Sequence, residues 1–268
     1  MIVSFVDQAT ALAQALADEI GYGNPETSFL NAYNAALGTE GVVPPPPGNP
    51  WLDFVSLSEY QGDLASGTPR TVVSAANLAS GQDAPPHFVN NGSVLQFSGF
   101  RDNSSYSFRS ELRHANEFPA TGTSAMTYRV QISDSDLEEY TWGQIHLKAS
   151  TSVPPPLRLS WDKSRSGQSG HLWAVVRRDS GVYERHDLGA RPTGFMDVTL
   201  SLDNLVLSVS IDGVVKHTQQ LSDWAGYDRC YFKCGLYLSG SAAATGTASA
   251  TIARVSASHS VVTNVHSV

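Results

Sequence analysis

The chain has 268 residues, a formal net charge of -8 and a sequence pI near 5.4. This acidic balance argues against a nucleic-acid partner, because such surfaces normally carry a basic stripe or tail. An anionic ligand would need a local basic cleft. No run approaches the ~20 apolar residues that span a bilayer, so we expect no membrane partner. The length suits one main β domain with an N-terminal appendage.

Residues 1–43 are predicted to form that helical appendage. They are rich in Ala and Leu, and Leu12 and Leu16 recur at helical spacing. Prolines then cluster over residues 44–50, which favours an extended polyproline linker. We therefore expect the main domain to span residues 51–268.

Beyond the linker, short β-prone runs alternate with turn residues. Asp212-Gly213 separates two such runs and predicts a type I′ hairpin turn. About eleven strands at this spacing predict an all-β fold, a jelly-roll β-sandwich of two antiparallel sheets. The predicted strands are Ser93–Phe97, Ser107–Leu112, Ala125–Ile132, Gly143–Ala149, Leu157–Trp161, Leu172–Arg177, Val198–Leu202, Val206–Ile211, Val214–Thr218, Tyr231–Leu238 and Ala248–Ser256.

The two cysteines, Cys230 and Cys234, are four positions apart on one predicted strand. Their α-carbons would be ~13 Å apart at ~3.3 Å per residue, too far for a disulfide without a bulge. Free thiols are the favoured interpretation. No metal-ligand spacing accompanies them, and we expect no metal and no other cofactor.

Three distant segments place polar side chains at a spacing of two. They are residues 109–113 (Arg-Ser-Glu-Leu-Arg), 144–146 (Gln-Ile-His) and 231–237 (Tyr-Phe-Lys-Cys-Gly-Leu-Tyr). Alternate residues of a strand share a face, so each segment would present polar groups to one side. If the three strands lie side by side, cations, an amide, an imidazole and a phenol share one surface. That set suits a substrate with carboxylates.

In this order, the segments resemble the signature blocks of the family 7 polysaccharide lyases, the alginate lyases. Those blocks read Arg-(Ser/Thr)-Glu-Leu-Arg, Gln-(Ile/Val)-His and Tyr-Phe-Lys-Ala-Gly-x-Tyr-Asn-Gln, and the resemblance covers about residues 50–258. It implies an endo-acting lyase that cleaves a uronate polysaccharide, alginate above all, by β-elimination. Ile145 in the second block implies a preference for guluronate-containing blocks. Leu238 and Ser239 stand where the family usually has Asn and Gln. Because the family's Gln helps bind sugar, this change concerns substrate preference and leaves the acid and base intact.

The chemistry assigns separate roles to four candidate catalytic residues. Arg109 and Gln144 would stabilise the charge that develops on the substrate carboxylate, and both match the family's carboxylate neutralisers. His146 is the candidate base, and Tyr237 is the candidate acid, or base and acid together in a syn elimination. Candidate substrate-binding residues are Glu111, Arg113, Lys148, Tyr231, Lys233 and Ser239, with Glu111 also expected to hold an arginine in place.

Two alternatives concern the activity itself. A non-catalytic module that binds acidic polysaccharide is motivated by Leu238 and Ser239. The second alternative is a lyase that acts on another uronate-rich capsule or exopolysaccharide with the same residues.

Delivery is a separate question. Met1–Asp7 lacks the basic and apolar regions of a classical signal peptide, although we expect extracellular action. The helix and proline linker resemble the segment that attaches a phage-borne depolymerase to a virion, so attachment or oligomerisation through residues 1–43 is an expectation from architecture.

Other chemistry-bearing residues receive structural interpretations. The acidic run at residues 134–139 could suggest a glycosidase carboxylate pair, but it better fits a turn followed by an acidic edge. Trp142, Trp161 and Trp173 could stack on sugars, although on a β-sandwich they are more often in the core. His114 follows Arg113 and should face away from it.

Overall fold

A computed structural model describes residues 55–66, 70–91, 94–102, 107–148, 154–239 and 245–266. The predicted helical appendage, residues 1–43, and the proline linker, residues 44–50, lie outside these residues. None of the helices in the described part of the chain is long and apolar enough to cross a membrane.

Two large antiparallel sheets form the body of the fold. The larger sheet has eight strands in the order β11-β10-β9-β8-β15-β5-β1-β2. These strands are β1 (Tyr60–Ser66), β2 (Thr71–Val73), β5 (Phe108–His114), β8 (Glu139–Leu147), β9 (Leu157–Arg165), β10 (Gln168–Arg177), β11 (Tyr183–Ala190) and β15 (Cys230–Leu238).

The smaller sheet has seven strands in the order β14-β13-β12-β7-β16-β4-β3. These strands are β3 (Phe88–Asn90), β4 (Leu95–Arg101), β7 (Thr123–Ile132), β12 (Met196–Asp203), β13 (Val206–Ile211), β14 (Val214–Gln220) and β16 (Gly246–His259). A third, two-stranded sheet pairs β6 (Asn116–Glu117) with β17 (Asn264–Val265). Helical structure is limited to α1 (Ala75–Ala79) and the 3₁₀ turns Val55–Glu59 and Ser222–Trp224 among the described residues.

The predicted sandwich is confirmed, and all eleven predicted strands are present. At the predicted hairpin, Asp212 and Gly213 both have positive φ, 51° and 75°, as a type I′ turn requires. Six further strands were not predicted: β1, β2, β3, β6, β11 and β17. The prediction of an acidic edge was wrong, because Glu139 begins β8, which lies between β9 and β15.

The two sheets differ in how they are buried, and this difference creates the site. Buried positions alternate with exposed positions on β4 and mainly with half-buried positions on β7 and β12, as expected for a sheet with one solvated face. The central strands β5, β8 and β15 are buried on nearly every residue. Their apolar side chains face the core, and the polar side chains that alternate with them lie on the opposite face.

The core contains the residues for which a structural role was favoured. Trp142, Trp161 and Trp173 are all buried, and Trp142 packs across the sandwich on Tyr128 with ring centroids 6.1 Å apart. Cys230 and Cys234 are free, buried thiols. Burial raises the pKa of Cys230 to about 12, so this thiol is protonated at neutral pH.

Candidate active site

The three polar segments form adjacent strands, with β15 between β5 and β8. Tyr237 on β15 lies opposite Arg109 on β5, and Lys233 lies opposite Gln144 on β8. Tyr231 lies opposite His146. The strand order and the register confirm the prediction that these segments lie side by side in one sheet.

A cleft of about 590 Å³ opens above these strands. It brings together all four candidate catalytic residues and Ser239. Its lining residues are Arg109, Glu139, Gln144, His146, Pro154, Pro155, Arg158, Tyr183, Arg185, Tyr237 and Ser239. Three of them are arginines and one is a carboxylate, so this acidic protein has a locally basic cleft.

Beneath the cleft lies a buried ion-pair network around Lys233. Its Nζ donates to Asp63 Oδ2 and Glu111 Oε2, each at 2.5 Å, and the three residues are at most 2% exposed. Burial raises the pKa of Asp63, but Lys233, Arg109 and Arg70 more than offset this and hold it below its ordinary value. Lys233 and Glu111 therefore form the floor of the site.

Arg109 is held by this floor and reaches the cleft. Its Nε lies 3.1 Å from Glu111 Oε2 and 3.9 Å from Asp63 Oδ2, and its side chain is 22% exposed. Burial lowers the pKa of Arg109, but the two carboxylates reverse this and raise it, so the guanidinium stays charged. It also lies 4.9 Å from the centre of the Tyr237 ring. The expected role of Glu111 in positioning an arginine agrees with this geometry.

Gln144 is an amide donor that lines the cleft together with Arg109. Its Nε2 donates one hydrogen to Glu111 Oε1, and the side chain is 1% exposed. An amide carries two N–H donors, so the second remains for a ligand carboxylate. Glu111 thus orients both Arg109 and Gln144.

His146 is held as a neutral imidazole. Its Nδ1 lies 3.1 Å from the carbonyl oxygen of Leu147, which can only accept, so Nδ1 carries the proton and Nε2 is the basic atom. Burial lowers the pKa of His146 to about 4, and Lys233 and Arg109 act in the same direction. The imidazole is therefore unprotonated at neutral pH.

Tyr231 supports the imidazole from one side. Its ring stacks on His146, with centroids 5.1 Å apart and planes 13° apart, and the Arg113 guanidinium lies 4.1 Å from the centre of the Tyr231 ring. Arg113 is buried and donates to Glu117 Oε1 at 2.7 Å. These contacts hold Tyr231 and Arg113 against other side chains, which favours a positioning role for both.

The remaining predicted binding residues lie at the ends of the strands. Ser239 follows β15 and lines the cleft. Leu238, the other residue that differs from the family's third block, is fully buried. Lys148 follows β8, is exposed, and donates its backbone N–H to the carbonyl of Arg229. It is not among the residues that line the cleft.

Sequence reasoning missed two parts of the site. Asp63 belongs to β1, whose residues Tyr60–Ala65 are all buried and show no alternation that would have marked a polar face. Arg158 and Arg185 line the far end of the cleft with Tyr183. The alternation Leu157-Arg158-Leu159 on a predicted strand was a usable signal.

No group of three or more His, Cys, Asp or Glu side chains within the described ranges is placed to hold a metal ion.

The fold and the cleft define a class: a β-sandwich whose larger sheet carries a cleft with a cationic, hydrogen-bonding surface. A family model described as alginate lyase matches residues 55–260. The chain belongs to the alginate lyase family, which confirms the family predicted from the three sequence blocks.

Individual relatives agree with this membership. An alginate lyase from Photobacterium sp. (strain ATCC 43367) is 27% identical over 132 residues, 39% of this chain and 46% of that protein. The matched region therefore spans less than half of the relative.

Solved structures share the fold. Alginate lyase AlyC3 superposes with a TM-score of 0.66 at 20% identity, covering 79% of this chain and 95% of its own, and it has also been solved with dimannuronate. Alginate lyase A1-II′, a member of polysaccharide lyase family 7, superposes with a TM-score of 0.63 at 22% identity, covering 80% and 98%.

Proposed function

We propose that this protein is an endo-acting alginate lyase that cleaves its substrate by β-elimination. The observation that carries the proposal is the single cleft lined by Arg109, Gln144, His146 and Tyr237 from three adjacent strands. Such a reaction removes the C5 proton of a uronate and expels the oxygen at C4, leaving a double bond in the new non-reducing end.

Charge stabilisation is the first requirement of this reaction. The C5 proton is barely acidic while the adjacent carboxylate keeps its full charge, so donors must stabilise the enolate-like charge that develops. Arg109 supplies a permanent cation, and Gln144 supplies an N–H donor. Because Glu111 contacts both side chains, the donors are oriented before substrate binds.

Proton transfer is the second requirement. His146 is neutral at working pH with Nε2 as its basic atom, which fits a base for the C5 proton. The Tyr237 hydroxyl is the donor for the departing oxygen. In the syn variant of the reaction Tyr237 performs both transfers, and His146 then acts as a neutral hydrogen-bonding neighbour.

The substrate class follows from charge. The overall charge of -8 repels a polyanion, so the three arginines of the cleft must supply the local attraction. The solved complex of AlyC3 with dimannuronate supports a uronate substrate. Within alginate we propose a preference for guluronate-containing blocks, on the basis of Ile145 in the second block.

The test is a rise in near-ultraviolet absorbance on mixing the full chain with alginate, polyguluronate, polymannuronate and a glucuronate-rich capsule. We expect the rise with alginate, and the larger rate on polyguluronate. Rapid loss of viscosity with few new ends would mark endo action. If the chain binds alginate without any absorbance rise, it is a non-catalytic binding module; a rise with the capsule alone points to another uronate polymer.

Two variants connect the activity to the cleft. Tyr237→Phe and His146→Ala should each lower kcat by about 10²–10⁴-fold, the usual contribution of a positioned acid or base. The matched control is Tyr227→Phe, which removes a hydroxyl that donates to Asp179 Oδ1 at 3.2 Å, away from the cleft lining, and should retain turnover. Circular dichroism should show the same fold in all three.

We further propose extracellular action and attachment or oligomerisation through residues 1–43. Sizes of the full chain and of a version that starts at Pro50 would test the second point. Equal oligomeric states would contradict oligomerisation through the N-terminal segment.

A further inference from the structure

Glu117 is a buried carboxylate outside the cleft lining, on β6. Its Oε1 accepts from Arg113 Nη2 at 2.7 Å. Its Oε2 accepts from Arg229 Nε at 2.7 Å and from Asn264 Nδ2 at 3.2 Å. Because both oxygens are engaged by the protein and the side chain is fully buried, Glu117 does not contact substrate.

A continuous series of contacts joins Glu117 to the candidate base. Glu117 holds the Arg113 guanidinium, whose central carbon lies 4.1 Å from the centre of the Tyr231 ring. Tyr231 in turn stacks on His146 with the ring planes 13° apart. Within the part of the chain that the structure describes, Glu117 is the one acidic side chain that pairs with Arg113. The placement of the guanidinium, and of the ring packed on it, therefore depends on Glu117.

Glu117 is itself held by residues 263–266. β17 pairs with β6, and Asn264 lies opposite Glu117. The Thr263 N–H donates to the Glu117 carbonyl oxygen at 2.7 Å, and the His266 N–H donates to that of Ala115 at 2.8 Å. These backbone bonds fix β6, and the Asn264 amide fixes the carboxylate that β6 carries.

His146 needs this support because its neutral state depends on exclusion of water. Burial is the main cause of its low pKa, and the charged groups that act on it are Lys233 on β15, Arg109 on β5 and Asp63 on β1. Tyr231 covers the imidazole on one side. A displaced Tyr231 ring would admit water to the imidazole and raise its pKa toward the ordinary value.

We propose that Glu117 is a positioning residue for His146, acting through Arg113 and Tyr231, and that residues 263–266 hold Glu117 in place. This inference rests on the proposed function, because it assigns His146 to the reacting centre. It extends the machinery of the reaction to a carboxylate that lies outside the cleft.

The test is Glu117→Gln, which keeps the size of the side chain and removes the charge that fixes Arg113. We expect kcat to fall roughly ten- to hundredfold, the effect of misplacing a reacting group by about 1 Å. KM should stay near the wild-type value, because Glu117 does not contact substrate. The acid limb of kcat/KM should move upward from pH 4 by about one pH unit or more. Asn264→Ala removes one donor from Glu117 and should give the same changes at smaller size.

The direction of the pH effect separates positioning from a direct effect of charge. Removal of an anion alone would lower the pKa of a nearby imidazole further, whereas loss of the covering ring raises it. An acid limb that moves downward would therefore show a direct effect of charge. An unchanged limb together with a lower Tm would show that Glu117 only stabilises the fold. Either result would overturn the inference.

A second measurement needs no substrate. The pKa of His146 can be read by NMR titration of its imidazole C–H signal, assigned by its absence in His146→Gln. We expect a higher pKa in Glu117→Gln than in the wild type, and equal values would exclude the positioning role. If the wild type cleaves no uronate polymer, the proposed function fails separately, and this titration still decides whether Glu117 positions His146.

The matched control is Asp197→Asn on the smaller sheet. Asp197 also accepts from two arginines, Arg129 Nη1 at 2.8 Å and Arg254 Nη2 at 2.9 Å. The variant removes one charge from the same kind of cluster, away from the cleft, and should leave kcat and both pH measurements at wild-type values. Equal changes in Asp197→Asn and Glu117→Gln would contradict the inference. Where Glu117→Gln does not fold, Asn264→Ala, a change at an exposed residue, carries both measurements.

Discussion

The most consequential single residue below the cleft is Lys233. Its ammonium is 2% exposed and lies 2.5 Å from both Asp63 and Glu111. Lys233→Met would leave two carboxylates in a buried site without their shared cation. Breaking a buried pair in this way typically costs about 3–5 kcal/mol. We therefore expect a loss of that size in the free energy of unfolding, measured by urea titration at pH 7.

The control for this variant is Lys216→Met, an exposed lysine on β14, which should change stability by less than about 0.5 kcal/mol. If Lys233→Met keeps its stability and only raises KM, then Lys233 contacts sugar directly, and the structural role argued from its burial is wrong.

His146 gives a second residue-scale prediction, in the pH dependence of activity. Burial and the neighbouring cations lower its pKa to about 4, so the free protein keeps an unprotonated base at any pH above about 5. The acid limb of kcat/KM reports the free protein and should lie near pH 4. The limb of kcat should lie higher, because a bound carboxylate raises the pKa of a nearby imidazole. An acid limb of kcat/KM near pH 6.5 would contradict this prediction, because it would show that the His146 imidazole is as solvated as that of a free histidine.

At the scale of elements, Gly235 controls how closely β15 approaches β5. Its φ is +136°, and a Cβ there would lie 2.6 Å from the Ser110 carbonyl oxygen and 2.7 Å from the Glu111 Cα. Gly235→Ala must move backbone, and this separates Tyr237 from Arg109 two residues along the pair. We expect both lower stability and at least tenfold lower kcat, measured by thermal unfolding and by absorbance.

Gly213→Ala separates the cost of a positive φ from the cost of a Cβ that clashes with a neighbouring strand. Gly213 also has positive φ, +75°, but nothing lies within 4 Å of its Cβ position. It should cost only the ~1–2 kcal/mol of a left-handed non-glycine residue, with unchanged kcat. Gly235→Ala should cost more, because overpacking adds about 1–3 kcal/mol. Equal losses in the two variants would contradict the role of close strand approach.

A strand could be predicted from the sequence where polar and apolar residues alternate within that strand. The residues at 109–113, 144–146 and 231–237 alternate strongly, and their order along the chain identifies the family and hence the adjacency of their strands. β1 carries no such alternation, since Tyr60–Ala65 are buried on both faces. The contact from Asp63 to Lys233 joins residues 170 positions apart, and register over that separation is set by tertiary packing. The Asp63 part of the floor was therefore beyond sequence reasoning, whereas Lys233, Glu111 and the residues above them were not.

At the scale of the whole molecule, buried histidines couple folding to pH. His114 is fully buried: its Nδ1 accepts from the Asn116 N–H at 3.2 Å, and its Nε2 lies 3.2 Å from Glu59. His259 Nε2 lies 3.3 Å from the same Nδ1. A second proton on His114 would occupy Nδ1, the nitrogen that accepts from the Asn116 N–H and faces His259 Nε2. The fold therefore holds this pair neutral.

The sign of the effect follows from these pKa values. Burial lowers the pKa of His114, and it lowers those of His146 and His259 to about 4, whereas an unfolded histidine titrates near 6.5. Between pH 6.5 and 4 the unfolded chain binds more protons than the folded one, so stability falls as the pH is lowered through this window. Each histidine contributes up to about 1.4 kcal/mol per pH unit.

Urea unfolding at pH 7, 5.5 and 4.5 should show this decline, and His259→Gln should flatten it, because one of the three groups no longer titrates. The variant keeps a polar side chain next to Ser124 Oγ, which lies 3.0 Å from His259 Nδ1 in the wild type. A stability that stays constant from pH 6.5 to 4.5 would mean that these imidazoles are protonated in the folded state. Since the kcat/KM limb of His146 lies near pH 4, the decline in stability should begin at a higher pH than the loss of activity.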